Sequence, residues 1–114
     1  MPFINSKISI KISKEEEITL KNRLGRAIAL IPGKSESWLM VDFEDDCKLY
    51  FKGQEYEKIV FVEVKIFGDA SKQALSSLTT EICNIYNEEL LVDKDKIYVK
   101  YELVENWGWN GNNF

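Results

Sequence analysis

A chain of 114 residues with 45% hydrophobic and 30% charged residues has the composition of a soluble domain with one core, neither disordered nor fibrous, and is read as a single domain over residues 1–114. A formal net charge of −4, with arginine only at Arg23 and Arg26, argues against a nucleic-acid partner, because phosphate binding needs clustered Lys and Arg. No run approaches the roughly 18 apolar residues needed to span a bilayer, and Met1-Pro2-Phe3-Ile4-Asn5 lacks the basic-then-apolar order of an export signal, so no membrane partner and a cytoplasmic location are expected, with non-classical secretion the alternative.

Phe3 to Ile12 places Ile4, Ile8, Ile10 and Ile12 at alternate positions, which predicts a strand with one buried face. Ser13-Lys14-Glu15-Glu16 follows as a capping box and opens a helix whose Leu20, Leu24, Ala27, Ile28 and Ile31 fall at helical spacing, until Pro32-Gly33 ends it. Gly25 inside that helix costs about 1 kcal/mol relative to Ala, which close approach of another backbone would explain. Trp38 to Phe43 reads as a second strand, and Leu49-Tyr50-Phe51 closed by Lys52-Gly53 as a small hairpin.

The run Ile59 to Phe67 is rich in β-branched and aromatic residues, with Val60, Val62, Val64 and Ile66 on one face. A second helix is predicted from Ser71 to Leu90 on the stripe Leu75, Leu78, Ile82, Ile85 and Tyr86, and a last long strand from Ile97 to Leu103. Cys47 and Cys83 have no Cys-x-x-Cys spacing and His is absent, so a zinc site or redox motif has no support. Both thiols are expected to be buried, with a single disulfide the alternative.

The order β-α-β, hairpin, β-α-β is a duplicated supersecondary unit. Right-handed crossovers put both helices on one face of a four-stranded mixed sheet, an α+β fold. The other face then carries Phe61, Phe67 and Tyr98, and oligomerisation is expected to cover it.

Five pieces in register with this duplication resemble one family: the opening Met1-Pro2-Phe3-Ile4, Gly33-Lys34, Phe67-Gly68, Tyr98, and the ending Asn106-Trp107-Gly108-Trp109-Asn110. Together they resemble the macrophage migration inhibitory factor and phenylpyruvate tautomerase family of the tautomerase superfamily, over the whole chain. The resemblance implies a homotrimer with three sheets facing a central channel and active sites between neighbouring subunits. It implies a keto–enol tautomerase acting on phenylpyruvate-like 2-oxo acids, with no metal or organic cofactor.

In that reading removal of Met1 turns the Pro2 nitrogen from an amide into a secondary amine, the general base and acid. Its pKa, ordinarily near 7.7 to 8.0 for an α-amino group, is lowered by burial or a nearby cation. Lys34 is implied to stand beside the amine and attract the substrate carboxylate; a Lys there also stabilises a helix C-terminus. Phe67 replaces a usual aliphatic residue and offers its backbone, while Tyr98 is implied to enter the pocket from the adjacent subunit.

Lys100 stands where better-known members carry Asn. It either brings a positive charge to the substrate or pairs with Glu63 or Glu102. Trp107, Trp109 and Phe114 are implied to form the hydrophobic rim. The alternative is a protein-binding or signalling trimer that engages a receptor, for which export has no support in the sequence. Dehalogenase chemistry, which needs arginines near the proline, ranks below both because Arg23 and Arg26 are mid-helix and read as outward-facing.

Overall fold

The computed structural model describes residues 1–114. Along the chain it contains β1 (Pro2–Ile8), α1 (Lys14–Ala27), β2 (Met40–Glu44), β3 (Val60–Phe67), α2 (Lys72–Leu90), β4 (Ile97–Val104), and the short strands β5 (Gly108–Trp109) and β6 (Asn112–Asn113). The four long strands form one sheet in the order β2-β1-β3-β4. β1 and β3 pair antiparallel at its centre, and each is flanked by the parallel strand of its own β-α-β unit. This is the duplicated α+β arrangement expected from the sequence.

Alternation decides which face each side chain takes. Val60, Val62, Val64 and Ile66 of β3 are buried together with Ile4 and Ile8 of β1, under Leu20 and Leu24 of α1 and Leu78, Ile82, Ile85 and Tyr86 of α2. Ser13 caps α1 as predicted: its hydroxyl accepts from the Glu16 N–H at 3.1 Å, and the Glu16 carboxylate accepts from the Ser13 N–H at 2.9 Å.

Several expectations are corrected. β1 stops at Ile8 because the Ser9 hydroxyl takes the Ile59 N–H at 2.7 Å and the Asp45 carboxylate takes the Ile12 N–H at 2.9 Å, replacing ladder bonds with side-chain bonds. Ile10 and Ile12 still pack on the core. α1 ends at Ala27, tightens to a 3-10 turn over Ile28–Leu30, and only then meets Gly33, whose φ of 81° needs glycine's freedom. Trp38 belongs to a second 3-10 turn, Glu36–Trp38, and not to β2.

The predicted hairpin reduces to one bridge, Phe51 with Gln54, closed by Lys52 and Gly53 at φ 54° and 73°. Two positive φ angles in succession are the type I′ signature. Cys47 and Cys83 are free and half-buried, not fully buried. No helix is long and apolar enough to cross a membrane.

Arg23 is not outward-facing. Its guanidinium ties α1 to α2 through Glu88 and Glu89 at 2.8 Å and Glu81 at 3.3 Å, with its side chain only 20% exposed. What lies over Gly25 is the Glu36 side chain and not a backbone. Because a flexible exposed carboxylate can swing aside, Gly25→Ala is expected to raise stability by about 0.5–1 kcal/mol, read as a higher urea midpoint at unchanged slope.

Under the sheet the Tyr86 hydroxyl donates to Ser6 Oγ at 2.6 Å, with both residues fully buried. Burial pushes the Tyr86 pKa well above its ordinary value, the hydrogen bond opposing this only in part. The native state therefore keeps a proton that the unfolded chain releases near pH 10, so stability falls as pH rises above about 10. Tyr86→Phe is expected to cost about 1 kcal/mol at neutral pH and to flatten that alkaline decline in pH-dependent urea titrations.

The opposite face has no helix. It carries Phe3, Phe61, Phe67 and Tyr98, but also Lys7, Asp42, Glu44, Glu63, Lys65, Lys100 and Glu102, by the strand register. It is thus aromatic and ionic together rather than apolar throughout. Asn5 donates to Asp42 and Glu44 there, each at 2.6 Å.

Candidate active site

β1 begins where β3 ends, so the N-terminus lies beside Phe67 and Gly68. The Phe67 N–H donates to the Met1 carbonyl at 3.0 Å, and Pro2 is level with Ile66 with its ring buried. Lys34, delivered by the turn after the first helical segment, donates from Nζ to the Phe67 carbonyl at 2.8 Å. Its ammonium therefore serves the end of β3 and not the C-terminus of α1. Burial first, then the Lys34 charge and its hydrogen bond, hold the Met1 α-amine below its ordinary pKa.

From Pro2 a cleft of about 670 Å³ opens, lined by Met1, Pro2, Phe3, Trp38, Met40, Lys65, Trp107 and Trp109 among others. Its far wall comes from the C-terminal hairpin. Asn110 and Gly111, at φ 52° and 84°, form a type I′ turn joining β5 to β6, which sets Trp109 against Trp38 edge to face at 5.1 Å. Phe114 backs this wall, 6.4 Å from Trp109 and 5.5 Å from Phe67, and its N–H donates to the Trp107 carbonyl at 3.0 Å.

The structure thus brings together Pro2, Lys34, Trp107 and Trp109, with Phe67 and Phe114 behind the rim. Phe67 offers both its backbone groups at the site while its side chain packs on Phe114. Tyr98 and Lys100 of the same chain are not there. Tyr98 is level with Phe61 whereas Pro2 is level with Leu103; at about 3.3 Å per residue and 4.8 Å per strand, Tyr98 lies about 19 Å and Lys100 about 14 Å from Pro2.

Tyr98 is 56% exposed and packs edge to face on Phe51 at 5.1 Å. Lys100 pairs with Glu102 at 3.1 Å, one of the two ion pairs open to it from sequence. Ser37, Trp38, Leu39, Met40 and Lys65 of the cleft lining escape a reading by motif. Trp38 reads as the start of a strand, and Lys65 sits inside the run Ile59 to Phe67, where alternation puts it on the open face but cannot show that the face ends in a cleft.

A paired β-α-β sheet with a terminal amine, a lysine and an aromatic cleft at one end defines a small α+β protein of tautomerase-like architecture. The family model for macrophage migration inhibitory factor (MIF) matches residues 1–114, and the chain belongs to that family. Leishmania major MIF2 superposes with a TM-score of 0.91 at 26% identity, covering 100% of this chain and 97% of that one. A MIF homologue from Prochlorococcus marinus gives 0.87 at 26% identity, covering 98% of each chain. A fused 4-OT described as a symmetric trimer shares the fold, with a TM-score of 0.86 at 14% identity over 97% of this chain and 94% of that one. A search of curated proteins finds no match.

Proposed function

We propose that this protein is a keto–enol tautomerase acting on phenylpyruvate-like 2-oxo acids, with the Pro2 nitrogen as the proton carrier once Met1 is removed. The observation that carries it is the Lys34 ammonium beside an N-terminal amine of lowered pKa, at the inner end of an aromatic cleft. Loss of Met1 moves the free amine one residue inward, into the same field. It also frees the Phe67 N–H that the Met1 carbonyl now occupies at 3.0 Å.

The Met1 carbonyl oxygen in this structure stands in for a substrate oxygen. A 2-oxo acid placed there sets its carboxylate near Lys34 and its aryl group between Trp107 and Trp109. Neutral Pro2 removes a C3 proton, the C–H electron pair forms the C2–C3 double bond, and the carbonyl pair moves onto oxygen. The Pro2 ammonium then gives its proton to that oxygen, which yields the enol and restores the base. A cation and a backbone donor aimed at the developing enolate lower the barrier electrostatically.

The same reading makes the working form a homotrimer. Tyr98, out of reach of Pro2 in its own chain, is half exposed on a helix-free face, and a neighbouring copy is what delivers it to the cleft. The related fold described as a symmetric trimer supports this. The test is phenylpyruvate tautomerisation by chain whose mass shows Met1 removed, with Pro2→Ala alongside. Activity lowered in the variant supports the proposal, and a processed but inactive wild type overturns it.

A further inference from the structure

We propose that Lys65 makes this cleft selective for a 2-oxo acid carrying a second anionic group, held on the Lys65 ammonium while the 2-oxo carboxylate lies at Lys34. The inference rests on the tautomerase reading above and names its substrate class. Among the residues that line the cleft, Lys65 supplies the sole charged side chain, and no carboxylate is among them.

The carboxylate level with it across the sheet, Glu102, is engaged by Lys100 at 3.1 Å, and Lys65 forms no ion pair of its own. Its Nζ lies over the Phe3 ring, 5.9 Å from the centroid, so the ammonium is steered across the cleft floor by an aromatic face. A half-buried ammonium among Trp and Met side chains, with no counter-ion from its own chain, favours an anion more than one in open water does.

Position along β3 adds the spacing. Lys65 and Phe67 share the open face two residues apart, about 6–7 Å along the strand, and Lys34 is anchored on the Phe67 carbonyl. Lys65 in the cleft and Lys34 on the Phe67 carbonyl, beside the N-terminal amine, are therefore two separate cations near a 2-oxo acid bound at Pro2. A monoanionic arylpyruvate satisfies Lys34 and leaves Lys65 unmatched. An aryl ring carrying a distal carboxylate satisfies both.

The test uses processed protein with two probes, phenylpyruvate and 4-carboxyphenylpyruvate. Wild type is expected to favour the second by roughly tenfold or more in kcat/KM, the scale of one charge-assisted hydrogen bond. Lys65→Met is expected to remove that preference through the KM of the dianionic probe, and Lys65→Arg to keep it. Equal kcat/KM for the two probes in wild type, a preference that survives Lys65→Met, or one abolished by Lys100→Met instead, overturns the proposal.

Calorimetric titration with 4-carboxyphenylacetate against phenylacetate, neither of which can turn over, separates this claim from the catalytic one. A Lys65-dependent preference in Kd supports the subsite even if no tautomerisation occurs. Equal affinities overturn it even if tautomerisation does.

Discussion

A chain with one extra residue left ahead of Pro2 is expected to lose phenylpyruvate tautomerisation by about 10²- to 10⁴-fold, the usual contribution of a positioned general base. The nitrogen of an internal proline is an amide whose lone pair is shared with the preceding carbonyl, so it cannot accept a proton near neutral pH. That carbonyl also stays on the Phe67 N–H, as the Met1 carbonyl does at 3.0 Å, and blocks a donor for substrate. Misfolding does not account for the loss, because β1 is fully paired with Met1 in place. Pro2→Ala, once processed, keeps a primary amine and should retain more activity than the blocked chain. Mass spectrometry of each sample identifies the terminus, and a blocked chain with full activity removes Pro2 from the mechanism.

How much of this was legible beforehand follows from range. The two helices, the central strand and the duplicated order were readable because each depends on residues within one element, such as Ser13 with Glu16 or Val60 through Ile66. Strand ends were not, since the ladder stops at Ile8 where the Ile59 N–H, fifty residues away, donates to the Ser9 hydroxyl in place of a backbone carbonyl. The site divides in the same way. Pro2, Lys34, Trp107 and Trp109 carry family motifs, while Lys65 sits in an ordinary-looking strand and becomes a cleft residue only through its register with Phe3.

Trp38 had a signal that pointed elsewhere, its neighbours Leu39 to Phe43 being strand-like, and the 3-10 turn that aims it at Trp109 has no side-chain cap to announce it. The Asn110-Gly111 pair that turns Trp109 inward is a local hairpin signature that sequence alone offers. Tyr98 and Lys100 are a different case, because their distance from Pro2 within one chain is a property of the sheet. Only a second copy changes it.

Lys34→Ala is expected to lower kcat/KM for phenylpyruvate by roughly 10- to 100-fold, the scale of a hydrogen bond to a charged group, mostly through KM. It should also move the acid limb of the pH profile. Below its pKa the terminal amine is protonated and cannot act as base, so the limb reports that pKa. At the Met1 amine Lys34 is the second cause of the lowering, after burial; on the proposal that processed Pro2 sits in the same field, removing Lys34 lets its pKa rise part of the way toward the ordinary value, and the limb shifts to higher pH.

Lys34→Arg keeps the charge and should hold the limb near the wild-type position while KM rises, because a planar fork does not reproduce the single bond to the Phe67 carbonyl at 2.8 Å. Loss of that bond alone costs about 1 kcal/mol of stability, and urea unfolding measures it separately from the kinetics. A limb unmoved in Lys34→Ala would mean that the lysine binds substrate without tuning the base, leaving burial of the amine as the sole cause of its lowered pKa.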